Sequence, residues 1–354
     1  MDNKKIRVAI THGDTNGIGY EIILKAFEDT GMLELCTPII YGNPKIATYH
    51  RNALKLETPF TIIKNAEETR PDKLNMLAAF DNEVKVEFGS PTPESAEAAR
   101  KALQRAKEDL KNGLYDVLVQ APVVSSNTPD PDDKSLLIMF ADDLRIALAT
   151  NHLLLKDVAT SITSDKLVEK CRLLHTSLKR DFRINNPRIA MLALNPQSGA
   201  EEENIISPAI KAAEEAGIQA YGPFIANEFF GNDMQYHFDG ILAMYDDQGN
   251  VPFKTLANEF GVKMKAGFPF VITTPDQDPC FSIAGKGVAD PTSLRHAIYA
   301  AIDIFRNRIH YDEPMANPLP KLYHEKREDG EKARFAVKAK DQFKREDSAP
   351  KEDN

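Results

Sequence analysis

The stretch from Ile6 to Ala26, IRVAITHGDTNGIGYEIILKA, decides the fold class of this chain. Its apolar residues alternate over a short run that ends at Thr11, and after the loop HGDTNGIG they recur at helical spacing. A strand, a glycine-containing loop and a helix in this order form the first half of a βαβ unit. We therefore predict an α/β protein built on a largely parallel sheet.

The alternation of strand and helix patterns continues along the chain. One helix is predicted to begin at Pro93 and to stop before Gly113, and another begins with Ser207 as N-cap and Pro208 as its first residue. A last helix covers residues 293–308, and residues 74–88 are predicted to form short strands around a turn at Asp81 and Asn82. Further strands are predicted at residues 38–41, 116–120, 136–140, 145–149, 188–193 and 240–244.

Composition excludes several classes of protein. The chain has 354 residues with 53 acidic and 44 basic side chains, which gives a net charge of −9. This balance disfavours nucleic acid or an anionic membrane as the main partner, because both attract clustered lysine and arginine. Neither a signal-peptide pattern nor a membrane-length apolar run occurs, so we predict a cytoplasmic protein.

The three cysteines, Cys36, Cys171 and Cys280, are far apart and odd in number. They predict neither a disulfide framework nor a thiolate metal site. The last 30 residues, 325–354, contain 9 acidic and 9 basic side chains and few apolar ones. We predict that they form a solvated, disordered tail.

Polar loops follow several predicted strands, where ligands bind in open α/β sheets. The first loop has glycines at 13, 17 and 19, a spacing that does not match the GxGxxG dinucleotide fingerprint. Gly17 and Gly19 precede a helix and could offer backbone N–H groups to an anion, or they could simply allow a tight strand-to-helix turn. Both interpretations stay open on the residues alone.

Other loops place candidate ligands after neighbouring strands. His152 follows one strand, and Asp246 with Asp247 follows another, so a histidine and a carboxylate could meet around a metal ion. The alternative is a structural histidine beside solvated or helix-capping aspartates. Lysines near the same predicted edge could hold a phosphate or could lie on the surface; they are Lys254, Lys263, Lys265 and Lys286.

A series of motifs resembles one known family. In chain order they are ITHGDTNGIGYEI, QAPV, LRIALATNHLLL, PRIAMLALNPQSG, YGPF, DGILAMYDDQG, PFK and IAGKGVAD. They are similar to the motifs of the 4-hydroxythreonine-4-phosphate dehydrogenase family of pyridoxal phosphate synthesis, over residues 6–308. This family does not use the GxGxxG fingerprint.

The resemblance implies an isocitrate/isopropylmalate dehydrogenase-like, three-layer α/β/α subunit with two domains and an interdomain cleft. We expect the first domain to comprise residues 1–120 and 290–320, and the second, which dimerises, to comprise residues 121–289. It also implies a homodimer whose active sites are completed by the partner subunit, a small phosphorylated substrate and NAD or NADP as cofactor. The family reaction oxidises a phosphorylated 3-hydroxy amino acid, and the product then loses carbon dioxide.

The resemblance further implies a divalent metal held by three histidines. The first of these matches His152, whereas the second, in LNPHAG, is Gln197 here and the third, in MYHDQG, is Asp246. One nitrogen and two oxygen donors favour Mg²⁺ or Mn²⁺ over Zn²⁺. We expect a weakened metal site at these three residues.

Other family positions are partly retained. Asp247 matches the aspartate beside the third histidine and is the predicted catalytic residue, and Lys254 matches a substrate-binding lysine. Lys263 replaces an asparagine and is also predicted to bind substrate, while Ile272 replaces an arginine. Asp276 is kept in a stretch that reads DQDPC instead of DHGTA, and it is predicted to bind cofactor with Gly17 and Gly19.

Two functions are consistent with this pattern. The first is an NAD(P)-dependent oxidoreductase of this family with a changed metal site. The second is a catalytically degenerate relative, a pseudoenzyme that binds a ligand or pairs with a competent paralogue. A segment of the family after QAPV is also missing here, which removes a His-Thr pair that contacts substrate.

Overall fold

A computed structural model describes residues 5–80, 84–124 and 135–317 of the chain. Its strands are β1 (Ile6–Thr11), β2 (Cys36–Gly42), β3 (Thr61–Ile63), β4 (Asn75–Ala78), β5 (Val117–Gln120), β6 (Leu136–Ala141), β7 (Leu144–Leu148), β8 (Arg188–Leu192), β9 (Gln219–Phe224), β10 (Gly240–Ala243), β11 (Val262–Ala266) and β12 (Val271–Pro275). Its α-helices are α1 (Gly19–Ala26), α2 (Gly31–Leu35), α3 (Pro44–Ala53), α4 (Pro93–Lys111), α5 (Leu155–Ser161), α6 (Ser164–Arg180), α7 (Ser207–Glu215), α8 (Ala226–Gly231), α9 (Asp246–Ala257) and α10 (Thr292–Ala316).

The strands form one twelve-stranded sheet in the order β3-β4-β2-β1-β5-β12-β11-β6-β7-β10-β8-β9. The first six strands in this order, which are β3, β4, β2, β1, β5 and β12, are parallel to one another. The last four, β7, β10, β8 and β9, are also parallel to one another. Between these blocks, β12, β11, β6 and β7 pair antiparallel. Three successive reversals therefore direct β7, β10 and β8 opposite to β1, β5 and β12.

Apolar side chains cover both faces of the sheet, which explains the continuous apolar strands. In β1, Val8 and Ile10 belong to the core shared with α1, α6 and α10, whereas Ala9 belongs to the core shared with α4. A third cluster packs β7, β8 and β10 against α8 and α9. The three-layer α/β/α architecture is confirmed.

The described residues up to Asp312 form one compact unit. The strands from residues 1–120 and those from residues 121–289 occupy successive halves of the sheet. The division into two domains stays a prediction. The tail at 325–354 and the turn at Asp81 and Asn82 lie outside the described residues. Within the described ranges, no helix is both long and apolar enough to cross a membrane.

Local signals explain where α4 begins and ends. Thr92 accepts a hydrogen bond from the Ser95 backbone N–H, Ser95 Oγ accepts one from the Thr92 N–H, and Pro93 occupies the first turn. Gly113 follows the helix with φ +70°. The predicted boundaries of this helix are confirmed.

Two local predictions are wrong. Residues 84–88 form no strand, because the Glu87 N–H donates to the Asn16 side chain and the Gly89 N–H to the Asn16 carbonyl instead of to a neighbouring strand. Ser207 does not cap α7, since a π-helical turn at Glu202–Ile206 runs directly into the helix. The sequence patterns also missed β3, β9, β11 and β12, and α10 is longer than predicted.

Candidate functional site

The carboxyl ends of β7, β10 and β8 form one edge of the sheet, which we call the histidine edge. β10 lies between β7 and β8. His152 follows β7, Asp246 and Asp247 follow β10, and Gln197 follows β8. The structure therefore places the three predicted metal ligands and the predicted catalytic aspartate after three adjacent parallel strands.

Backbone contacts fix the loop that carries His152. Thr150 Oγ1 donates to the Met244 carbonyl at 2.7 Å, and the His152 backbone N–H donates to Asp246 Oδ2 at 2.6 Å. His152 has φ +56°, a left-handed conformation that a non-glycine residue adopts at an energetic cost. The hydrogen bond to the Asp246 carboxylate thus stabilises the left-handed backbone conformation of His152 at this edge.

The first turn of α9 carries both aspartates. Asp246 and Asp247 lie where the helix dipole stabilises negative charge, and Asp247 is exposed. Gln248 anchors the turn, because its Oε1 accepts from the Met244 N–H at 2.7 Å and its Nε2 donates to the Ala193 carbonyl at 2.6 Å. This buried amide joins the ends of β10 and β8.

Glu202 organises the loop that carries Gln197. Its carboxylate accepts the backbone N–H groups of Leu194 and Asn195, both at 2.9 Å, and that of Gly199 at 2.8 Å. Burial opposes the charged form, but the hydrogen bonds from Asn195 and Gly199 together outweigh it and hold the pKa of Glu202 below its usual value. Gln197 itself is exposed.

The donor set at the histidine edge fits an oxygen-preferring cation better than zinc. An imidazole, an amide oxygen and a carboxylate are available, and Mg²⁺ and Mn²⁺ accept such ligands. In residues 5–80, 84–124 and 135–317, no cluster of three or more His, Cys, Asp or Glu side chains could hold a metal ion. Any cation there would depend on Gln197.

A second edge, which we call the lysine edge, lies at the carboxyl end of β12. Lys263 Nζ is 2.6 Å from Asp276 Oδ1, and Lys254 Nζ is 3.8 Å from the same oxygen. The Asp276 side chain is 5% exposed, whereas those of Lys263 and Lys254 are 23% and 47% exposed. Two ammonium groups thus share one buried carboxylate and reach solvent, an arrangement suited to an anion. Lys265 and Lys286 are exposed.

The glycine loop between β1 and α1 is packed against protein on all sides. A Cβ on Gly19 would overlap the His12 carbonyl oxygen, and one on Gly17 would lie 2.8 Å from the Pro279 carbonyl oxygen. The Gly17 N–H donates to the Asp14 carbonyl, and the Ile18 N–H donates to Pro279. These contacts are those of a tight strand-to-helix turn. A role of Gly17 and Gly19 in cofactor binding stays a prediction.

Two buried histidines lie beneath this loop. His12 stacks on Tyr20 with ring centroids 5.0 Å apart, and neither of its ring nitrogens has a partner in the described part of the chain. Burial and, secondarily, the neighbouring His50 lower the pKa of His12 to about 3. Burial lowers the pKa of His50 to about 4, although its Nε2 contacts the Thr15 carbonyl at 2.9 Å.

The structure separates the predicted site into two groups. The histidine edge and the lysine edge are opposite edges of the sheet, because β7 and β10 run opposite to β12. α9 begins with Asp246 at the first edge and reaches Lys254 eight residues later, a rise of about 12 Å. Our expectation that all these loops share one edge is wrong, because it assumed a sheet without reversals.

Sequence reasoning missed two residues that shape the site. Gln248 lies in the quoted motif MYDDQG, and its position two residues after Asp246 was the available signal. Glu202 lies in the run EEE, where the π-helical turn gave no recognisable pattern. Both act through backbone groups, which a residue pattern does not reveal.

Comparisons with known proteins agree with the fold and the order of these residues. The family model of "Pyridoxal phosphate biosynthetic protein PdxA" matches residues 34–301. The 4-hydroxythreonine-4-phosphate dehydrogenase of Bacteroides thetaiotaomicron is 47% identical over 95% of this chain and 98% of its own length. The enzyme of the same name from a Sulfurihydrogenibium species is 32% identical over 86% of this chain and 99% of its own length.

A solved structure extends the comparison. The crystal structure of a 4-hydroxythreonine-4-phosphate dehydrogenase from Burkholderia phymatum superposes with a TM-score of 0.67 at 25% identity. It covers 85% of this chain and 99% of that protein. The likeness therefore extends over most of both chains.

Proposed function

Because the chain belongs to the family of the pyridoxal phosphate biosynthetic protein PdxA, we propose that it is a dehydrogenase of a small phosphorylated 3-hydroxy amino acid, of the 4-hydroxythreonine 4-phosphate type. In this reaction the carbinol carbon gives a hydride to NAD or NADP, the hydroxyl gives up a proton, and the resulting 3-oxo acid releases carbon dioxide. The observation that carries the proposal is the pair Lys254 and Lys263 around Asp276.

The lysine edge provides the phosphate contacts in this proposal. Two ammonium groups compete for one carboxylate, so a positive charge remains for an anion. Asp278, at 4.0 Å from Lys254 Nζ, is 80% exposed and screened by water. The two lysines bind and orient the substrate rather than take part in bond breaking.

The histidine edge provides the groups near the reacting carbon. His152, Gln197 and Asp246 would hold a divalent cation, which as a Lewis acid lowers the pKa of a bound alcohol. Asp247 is the exposed carboxylate next to this set, and we assign it to proton transfer. Its position in the first turn of α9 places it directly after Asp246 at this edge.

The separation of the two edges favours a homodimer. One chain cannot present both groups to one small substrate, since they lie at opposite edges of the sheet. A second copy can bring its histidine edge to the lysine edge of the first. Exposed apolar residues beside His152, namely Leu154 and Leu155, would be covered by such contact.

A degenerate partner protein is the second candidate, and one observation favours it. Asp246 Oδ2 already accepts the His152 N–H at 2.6 Å, so part of this carboxylate is engaged in holding the backbone. A chain with this site could pair with an active paralogue and contribute only its lysine edge. Replacing Gln197 and Asp246 by histidine should then raise Zn²⁺ affinity in calorimetry at least about tenfold, as three nitrogen donors replace one.

The test of the proposed function is reduction of NAD or NADP by purified protein with 4-phosphohydroxythreonine, with Mg²⁺, Mn²⁺ or Zn²⁺ added. We expect turnover that a chelator abolishes, and a large rise in KM for Lys254→Ala. Lys211→Ala, an exposed lysine on α7, is the matched control and should leave KM unchanged. A folded protein without turnover under any of these conditions would contradict the proposal and favour the degenerate partner.

A further inference from the structure

A cleft on the face of the sheet opposite α9 has no role in the proposed reaction. It lies between the end of β6, the turn after α6, the start of β11 and the outer side of α10, and it has a volume of about 240 Å³. Its neighbours on the sheet, Val262 and Met264, belong to the core shared with α6 and α10, whereas α9 packs with a separate cluster. The cleft therefore lies beside the lysine edge, on the face of the sheet opposite α9 and Lys254.

Aromatic rings form much of its wall. They are Phe140, Phe182, Phe260, His296 and Tyr299. The rings of Phe140 and Phe182 meet edge to face at 5.1 Å, and those of Phe260 and His296 at 5.0 Å. Phe260 is 45% exposed, although it is a large apolar side chain. Such a wall presents π-electron density to a ligand.

The charges along the cleft are negative. Its charged lining residues are Asp142, Asp181 and Asp303, with no lysine or arginine from the described part of the chain. Asp181 is compensated, because Arg308 Nε lies 2.6 Å from its Oδ1 in a buried pair. Asp303 pairs at a distance with Arg306, at 3.9 Å, and its side chain is 70% exposed. Asp142 is also exposed.

One cation already stacks on this wall. The Arg145 guanidinium lies 4.9 Å from the centroid of the Phe182 ring. It donates to the backbone carbonyls of Asp142 and Asp143 and pairs with the Asp143 carboxylate at 3.4 Å. Arg145 therefore pairs with neither the Asp142 nor the Asp303 carboxylate.

We propose that this cleft binds a small organic ammonium ion with an apolar or aromatic body. The rings would contact the body and the cationic head, and Asp142 and Asp303 would supply the opposite charge. A phosphate or carboxylate ligand is disfavoured, since it would face two exposed carboxylates. The cleft thus has the opposite charge preference to the lysine edge, and it is a second site on this chain.

The test uses three ligands of similar shape and different charge, measured by titration calorimetry on the full chain. They are phenethylammonium, the uncharged 2-phenylethanol and the anion phenylacetate. We expect phenethylammonium to bind most tightly, 2-phenylethanol several-fold more weakly and phenylacetate not measurably. Added salt should weaken the binding of phenethylammonium alone.

Variants locate the binding. Asp303→Asn should weaken phenethylammonium about two- to fivefold, as expected for a partly exposed charge, and Phe260→Ala should reduce it further. Glu215→Gln removes one negative charge from α7, away from the cleft, and should have no effect. Lys254→Ala should also have no effect, which separates this proposal from the proposed function.

Three results would overturn the proposal. They are the absence of phenethylammonium binding, equal affinity for the ammonium and the alcohol, and equal losses in Asp303→Asn and Glu215→Gln. Equal affinities would identify an apolar groove without charge preference. Equal losses would show that only the net charge of the protein matters.

Discussion

The two edges of the sheet carry similar residues but are built differently. At the lysine edge, the carboxylate of Asp276 is 5% exposed and lies beside the ammonium groups of Lys254 and Lys263, and the glycine loop after β1 is fully buried. At the histidine edge, His152, Gln197 and Asp247 are exposed, and their positions depend on hydrogen bonds to backbone groups. Packing fixes the positions of the residues at the lysine edge, whereas a few polar side chains fix those at the histidine edge.

This difference agrees with where the chain departs from the family motifs. The motifs of the glycine loop and of Asp276 match the family motifs, whereas Gln197 and Asp246 stand where the resemblance predicts two histidines. A packed turn tolerates few substitutions, because each neighbour is backbone or core. An exposed loop held by Glu202 or Asp246 can change its ligands while the fold is kept.

The largest effect on stability should come from adding a Cβ atom to the glycine loop at the lysine edge. Gly19→Ala places a Cβ against the His12 carbonyl oxygen, and we expect a loss of about 3 kcal/mol or more in the free energy of unfolding. Gly231→Ala is the control, since a Cβ there has open space at the end of α8. Denaturant titration measures both. Equal unfolding free energies for Gly19→Ala and Gly231→Ala would show that the loop can move to accommodate the added Cβ.

Asp276→Asn should have the next largest effect at the same edge. It leaves two ammonium groups beside a neutral amide, and we expect a loss of about 1–2 kcal/mol in unfolding free energy. Inorganic phosphate should bind no more weakly, because the site becomes more positive. Asp278→Asn removes an exposed carboxylate and should change stability by less than about 0.5 kcal/mol. A fall in phosphate affinity for Asp276→Asn would contradict an anion site.

At the histidine edge, Glu202→Gln tests the polar support of the Gln197 loop. The amide loses part of the acceptor set for Leu194, Asn195 and Gly199, so we expect a loss of about 1 kcal/mol at neutral pH. The lowered pKa of Glu202 stabilises the fold above its unfolded-state pKa, and this stability disappears as the pH falls through the folded value. The difference between wild type and variant should therefore shrink in acid. Glu203→Gln, an exposed neighbour, should behave like wild type.

His12→Phe should have little effect at neutral pH and a distinct effect in acid. Below the unfolded-state pKa of histidine, His12 is protonated in the unfolded chain. In the folded protein it stays neutral until the pH approaches its pKa of about 3. Wild type should therefore lose roughly 1 kcal/mol more stability per pH unit than the variant between about pH 6 and pH 4. Parallel pH profiles would show that the histidine reaches water in the folded state.

The sequence predicted the architecture better than the site. The β1-loop-α1 pattern, the helix signals at Pro93 and Gly113 and the family motifs were enough for the three-layer fold and most of the central strands. The strands β11 and β12 were missed, and their antiparallel pairing reverses the sheet between the two edges. A one-dimensional pattern carries no information about strand direction, so it could not separate His152 from Lys254.

The most direct test of a site shared between two copies is complementation of two inactive variants. His152→Ala breaks the histidine edge and Lys254→Ala breaks the lysine edge, and the two are co-expressed with different tags and purified together. At a substrate concentration near the wild-type KM, a shared site predicts that each variant alone has little activity. The mixture should recover about a quarter of wild-type NAD(P) reduction, because half of the dimers then contain one intact site of two. A mixture no more active than the separate variants would contradict a site built from opposite edges of two chains.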